Sequence, residues 1–133
     1  MKGYDVSYSG VKTAFTNFIH KQSSKNKSFI SDNLNDLCAS LQYTLVQIIL
    51  NKIEEVVKAY ELNQIVIGGG VAANSELRNQ LAARAESEQW QVFLPPLKYT
   101  TDNAAMIGIA AYFKLQNQEF GSLSDASLSR LNY

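Results

Sequence analysis

Three consecutive glycines, Gly68–Gly70, separate an apolar segment from a helical repeat. The apolar run 65–67 before them is typical of a short buried strand. After them, Leu77, Leu81 and Ala85 recur at the spacing of one helix face. Glycine lacks a Cβ atom, so the backbone at such a turn can approach another molecule closely. The N-terminus of the following helix offers N–H groups to an anion, and the pattern therefore predicts a phosphate or nucleotide site at the carboxyl end of a strand.

Asn74 lies between the glycines and this helix, where its side chain could add to the site. Its amide could bond the base, sugar or phosphate of a nucleotide. The same residue is also a preferred helix N-cap, in which case the glycines form only a tight turn. Neither a Gly-x-Gly-x-x-Gly run nor the phosphate-loop lysine motif is present. The residues alone leave both interpretations open.

Strands alternate with helices along the chain, as in an α/β fold with a mostly parallel sheet. Ser9 is the expected N-cap of the first helix, and Ser31 or Asp32 that of the second. Only two strands are predicted, which is few for an independent sheet, so we expect part of the domain to lie outside this chain. The predicted elements are helices at 11–20 and 32–59, a strand at 64–68, a helix at 75–87, a strand at 91–94, a helix at 102–115 and a polar tail at 118–133.

The composition is that of one globular domain rather than a membrane protein or a polyelectrolyte. The chain has 133 residues, 46% of them apolar, and its 12 basic and 12 acidic residues balance. Five lysines against Asp5 give residues 1–28 a net charge of +4. The single Cys38, expected in the core, cannot form an internal disulfide. Because no apolar run approaches the roughly 18 residues that span a bilayer, we expect a cytoplasmic protein.

Asp102 is a second candidate ligand, since it follows a Pro-Pro loop at a predicted helix start. Its carboxylate has two oxygens, so it could cap the helix, face a metal or substrate, or do both. Ser9 and Lys12 could form another anion-binding turn, although a capped amphipathic helix is favoured. The run Lys21–Lys27 could contact nucleic-acid phosphates, but a solvated loop is favoured. His20 is the only histidine, and without paired cysteines no complete metal site is encoded.

Three segments together are more specific than any of these patterns. They are Asp5–Ala14, with Ser-Tyr-Ser-Gly at its centre, Gly68–Arg78, with Gly-Gly-Gly-Val-Ala-Ala-Asn, and Pro95–Ile107, with Thr-Thr-Asp-Asn. In this order they resemble the C-terminal part of the TsaD family, the bacterial tRNA N6-adenosine threonylcarbamoyltransferases, formerly called the glycoprotease family. The resemblance covers residues 3–115.

The resemblance implies an α/β fold in which residues 1–133 form the C-terminal lobe of an actin-like ATPase of the sugar-kinase and Hsp70 type. It implies transfer of a threonylcarbamoyl group from threonylcarbamoyl-AMP, made with ATP, to N6 of adenosine 37 in tRNAs that read ANN codons. By this resemblance Gly69, Gly70 and Asn74 bind the nucleotide. Asp102 becomes a ligand of a divalent metal, iron or zinc. No residue of this chain is assigned as catalytic.

One departure from the family pattern limits these expectations. The family's two metal-binding histidines, in a His-x-x-x-His motif, and its other substrate contacts precede the part that this chain resembles. We therefore expect residues 1–133 to be a fragment that is inactive alone. TsaB and TsaE are the implied partners of full-length members. Two alternatives are a nucleotide-binding lobe of another actin-like carbamoyltransferase or kinase, and a non-catalytic interaction module that self-associates through an exposed cut edge.

Overall fold

A computed structural model describes residues 3–126 and contains four helices and two strands within that range. Short 3-10 turns follow each strand. The elements are, in chain order, α1 (Ser9–Ser23), α2 (Phe29–Tyr60), β1 (Gln64–Val66), a 3-10 turn (Gly70–Ala73), α3 (Ser75–Ser87), β2 (Gln91–Phe93), a 3-10 turn (Leu97–Tyr99) and α4 (Ala104–Gln116).

The first two helices begin earlier than the sequence predicted. Ser9 is the first residue of α1 and not its N-cap, and its N–H donates to Ser7 Oγ at 3.3 Å. Helix α2 begins at Phe29, so Ser31 and Asp32 lie inside it and neither caps it. The Phe29 ring packs edge-on against Phe18 of α1, with ring centroids 5.9 Å apart. The helical backbone angles are interrupted at Asn33, which has φ of −123° and ψ of 17°, so residues 29–32 form a short turn before a kink and the main body of α2 follows it.

The two strands form a parallel sheet in which Gln64, Ile65 and Val66 lie opposite Gln91, Val92 and Phe93. The side-chain amide of Gln64 donates to Gln91 Oε1 at 3.0 Å and reinforces this register. Helix α3 connects the strands, as parallel pairing requires. The predicted α/β alternation and parallel pairing are confirmed, although each strand ends earlier than predicted.

The core lies where α2 and α3 pack together. Val46 and Leu50 of α2 and Leu77 and Leu81 of α3 are buried. Partly buried apolar residues pack against this cluster. They are Ile49 and Ile53 of α2, and Ile67, Val92 and Leu94, which lie on the strands or next to them. Burial of Leu77 fixes the first turn of α3, and therefore the position of the residue that caps it. Cys38 is exposed, contrary to expectation, because the buried residues of α2 lie in its second half.

The chain forms two compact units, one ending at Thr100 and the other beginning at Thr101. Helix α4 belongs to the second unit. Of the expected tail, residues 118–126 are exposed and turn-like, and residues 127–133 lie outside the described range. None of the helices within residues 3–126 has the length and apolar character of a membrane span. Assignment of the whole chain to a single lobe stays a prediction.

Candidate functional site

The glycine turn leaves β1 through a backbone conformation that only glycine adopts readily. Gly69 has φ of 80° and ψ of 178°, a region that costs other residues about 1–3 kcal/mol. The 3-10 turn then begins at Gly70, and the Ala72 N–H donates to the Gly69 carbonyl at 3.0 Å. Ala72 is fully buried and anchors the turn on the core side. The turn is therefore a fixed structure at the carboxyl end of β1.

The space beside the glycines is open. A Cβ atom added at Gly68, Gly69 or Gly70 would meet no atom of the described chain within 4 Å. Internal packing therefore does not require glycine at these three positions, and only Gly69 needs it for its backbone angles. A surface without side chains remains, where another molecule could reach the backbone closely.

Asn74 is the N-cap of α3, and its Oδ1 accepts the Leu77 N–H at 2.9 Å. The capping interpretation of Asn74 is therefore correct for this oxygen. The other half of the amide, Nδ2, has no hydrogen-bond partner within residues 3–126. An Asn side chain carries two donors on this nitrogen, so capping and ligand binding are compatible.

A cavity of about 310 Å³ adjoins the turn and brings together two segments that are distant in sequence. Tyr8, from the first motif segment, lines it together with Gly70 and Asn74. Its other walls are apolar: Leu45, Val46, Ile49, Val71 and Leu77. Burial raises the pKa of the Tyr8 phenol above its usual value, so the hydroxyl, which is already protonated at neutral pH, stays a donor over a wider pH range. The sequence did not single out Tyr8, although the motif around it was an available signal.

Arg78, in the first turns of α3, is the other residue that sequence reasoning missed. Its Nε donates to the Ala72 carbonyl at 2.5 Å, and its Nη2 donates to the Pro95 carbonyl at 2.7 Å. Ala72 belongs to the glycine turn and Pro95 follows β2. These contacts join the turns at the carboxyl ends of both strands, where ligands of open α/β sheets bind.

Asp102 lies in the second unit, just before α4, and is exposed. The helix starts two residues later than predicted, and Asn103 is its N-cap, accepting the Met106 N–H at 3.2 Å. The capping role that competed with a ligand role for Asp102 is therefore filled by its neighbour. Its carboxylate accepts no hydrogen bond within residues 3–126. The same residues hold no group of three or more potential metal ligands.

The other candidates lie apart from this cavity. Ser9 and Lys12 line a separate depression on α1, together with Thr13, Thr16 and Asn17. Helix α1 extends to Ser23, so the solvated loop expected at Lys21–Lys27 is partly helical. The lysines of that segment are exposed, as a solvated surface requires.

Replacement of Gly69 and Gly70 by alanine separates backbone strain from crowding. We expect Gly69→Ala to lower the free energy of unfolding by about 1–3 kcal/mol, because alanine avoids the observed backbone angles. Gly70→Ala should cost nothing or add up to about 1 kcal/mol, since its angles suit alanine and its surroundings are open. Urea unfolding of both variants measures the difference. Equal destabilisation of the two would contradict the described turn.

Comparison with known proteins matches most of this chain to one family. The family model described as tRNA N6-adenosine threonylcarbamoyltransferase (TsaD) matches residues 1–109. A protein of that name from Riemerella anatipestifer is 40% identical over 98% of this chain and 38% of its own length. Another from Cytophaga hutchinsonii is 42% identical over 90% of this chain and 35% of its own length. The chain thus spans less than two-fifths of the curated relatives that it matches.

Proposed function

The chain belongs to the TsaD family, and on that premise we propose that it supplies the nucleotide-binding part of a threonylcarbamoyl transferase. Its relatives are named for modification of N6 of adenosine in tRNA. The donor in this proposal is threonylcarbamoyl-AMP and the acceptor is N6 of adenosine 37 in ANN-decoding tRNA. The fold in this proposal is the C-terminal lobe of an actin-like ATPase, completed by a preceding portion.

The observation that carries the proposal is the open glycine turn beside the capped Asn74. The turn presents backbone without side chains, and the unpartnered Nδ2 of Asn74 supplies a donor on the same cavity. Gly69 and Gly70 would accept the close approach of the adenylate, while the N-terminus of α3 favours its negative charge. The apolar walls and the Tyr8 ring suit a planar base. These residues bind and orient the donor without acting as acids or bases.

Asp102 fits the role of one metal ligand and no more. Its carboxylate is exposed and Asn103 does the capping, so both oxygens are available. A structural or catalytic metal site normally needs about three protein ligands, so the others would come from the preceding portion. A divalent metal bound there would supply Lewis-acid stabilisation of the charge on carbamoyl and phosphate oxygens. Iron and zinc both stay candidates for this ion.

The remaining assignments follow from the family and extend this proposal. We propose these for the complete enzyme: it is located in the cytoplasm, it uses tRNA as acceptor, and TsaB and TsaE are its accessory proteins. Residues 1–133 alone are expected to be inactive, and self-association through the open sheet edge is expected when the preceding portion is missing. The family match favours this proposal over a lobe of another actin-like kinase or carbamoyltransferase.

A chimaeric enzyme tests the proposed function. The preceding portion of the Riemerella anatipestifer relative is joined to residues 1–133, and formation of threonylcarbamoyl-adenosine in an ANN-decoding tRNA is measured with threonylcarbamoyl-AMP as donor and with TsaB and TsaE present. We expect the chimaera to form the modified nucleoside and each part alone to form none. A folded chimaera without activity would contradict the proposal.

A further inference from the structure

One side chain, that of Arg78, bridges the two turns beside the candidate site. Arg78 Nε donates to Ala72 O at 2.5 Å, and Arg78 Nη2 donates to Pro95 O at 2.7 Å. Ala72 is fully buried in the turn after β1. Pro95 begins the segment after β2. A movement of one turn relative to the other must break one of these two hydrogen bonds.

Arginine suits this contact because its guanidinium is planar and presents several donors in a fixed fork. A lysine ammonium is a point charge that cannot reproduce the two directed bonds of that fork. Arg78 forms no ion pair within the described part of the chain. Its hydrogen bonds to neutral carbonyls therefore serve geometry rather than charge neutralisation. It does not line the cavity at Tyr8 and Asn74, so it acts through the turns.

The segment after β2 is anchored at its other end as well. Thr100 is 3% exposed, and its Oγ1 donates to Leu97 O at 2.8 Å. The Tyr99 N–H donates to Pro96 O at 2.9 Å. These local bonds give the segment a defined conformation, the burial of Thr100 packs its end against the fold, and Arg78 connects its start to the glycine turn.

We infer that Arg78 is a positioning residue that fixes the glycine turn for the nucleotide through Ala72, with the segment 95–100 as its support. The inference rests on the proposed function in that the ligand is an adenine nucleotide. Without Arg78, the turn that carries Gly69 and Gly70 loses its side-chain link to the segment after β2, while the backbone bond from Ile67 N–H to Phe93 O remains. The cavity then binds the nucleotide less tightly although the core is intact.

The test compares Arg78→Lys and Arg78→Gln with the same substitutions at Arg84. Arg84 lies on the same helix but contacts Glu54 and Gln47 of α2, away from both turns. Amide hydrogen exchange, thermal unfolding and affinity for AMP are measured on the 133-residue chain. The informative amides are those bonded within the two turns: Ala72, Asn74, Tyr99 and Thr100.

We expect Arg78→Gln to speed exchange in both turns and to weaken AMP binding by about tenfold, because the nucleotide would then have to order a turn that has lost the free energy of about one charge-assisted hydrogen bond. Arg78→Lys should fall between this variant and the wild type. The Arg84 variants should lower thermal stability without selective exchange at the turns. Unchanged amide exchange at either turn in Arg78→Gln would overturn the inference. So would a loss of AMP affinity in the Arg84 variants that matches the loss in the Arg78 variants at equal thermal stability. A wild type that binds no AMP contradicts the proposed function instead, and exchange alone then decides whether Arg78 couples the turns.

Discussion

Asp102→Ala in the chimaeric enzyme should reduce bound metal and lower the rate of threonylcarbamoyl transfer by at least about a hundredfold. Loss even of a residue that only supports a metal ligand costs about 10–100-fold in affinity or activity, and Asp102 is proposed as a ligand itself. The variant should remain folded, because Asn103 caps α4 and the Asp102 carboxylate accepts no hydrogen bond within residues 3–126. Metal analysis and a transfer assay measure the two effects.

Asp125→Ala is the matched control for this experiment. Asp125 is also an exposed aspartate of the second unit, and its carboxylate accepts the Ser122 N–H at 2.8 Å. Its removal should leave metal content and transfer unchanged. Equal metal content in the Asp102 variant and the wild type would refute the ligand assignment.

Asn74→Asp should stabilise or preserve the fold while weakening AMP binding by at least about tenfold. Aspartate caps a helix as well as asparagine does and suits the positive end of α3. The substitution keeps an acceptor for Leu77 but replaces the Nδ2 donor by a charged oxygen beside the proposed nucleotide. The lost donor and the new repulsion toward phosphate together exceed the cost of one hydrogen bond to a charged group, about 1.5–3 kcal/mol. The melting temperature from thermal unfolding should thus stay the same or rise, whereas the AMP affinity from a titration should fall.

Two controls separate these effects. Asn74→Ala removes the cap and should lower stability by about 1 kcal/mol. Asn35→Asp adds the same charge at an exposed position of α2 and should change neither property. If Asn74→Asp binds AMP as tightly as the wild type, Asn74 serves only as a cap and the proposed nucleotide contact is wrong.

Local signals in the sequence predicted the parts of the fold that depend on neighbouring residues. The glycine turn, the bounds of α3 at Ser75–Ser87 and the cap at Asn74 all follow from short patterns. Helix starts were less predictable, because contacts such as that of Phe29 with Phe18 override the capping preference of nearby polar residues. Similarly, Asn103 caps α4 in place of Asp102, a choice between adjacent residues that both favour caps.

The parts of the site that the sequence did not reveal depend on contacts between distant segments. Tyr8 reaches the cavity because the start of α1 lies beside the glycine turn, and no spacing pattern encodes that proximity. In the sequence, Arg78 has the pattern of an ordinary surface residue of a helix. Its contact with Pro95 depends on the register of β1 against β2, which the sequence pattern does not give. Patterns therefore predicted where the glycine turn lies, and the structure was needed to see which contacts hold it.

The central claim, that this chain is the nucleotide-binding part of a threonylcarbamoyl transferase, is tested most directly by the activity of the chimaera. Residues 1–133 joined to the preceding portion of the Riemerella anatipestifer relative should convert adenosine of ANN-decoding tRNA to its N6-threonylcarbamoyl form, detected by mass spectrometry of the nucleosides. The same portion joined to an Asn74→Asp chain should form little or none. A chimaera that folds and binds metal but leaves the tRNA unmodified in the presence of TsaB and TsaE would contradict the account.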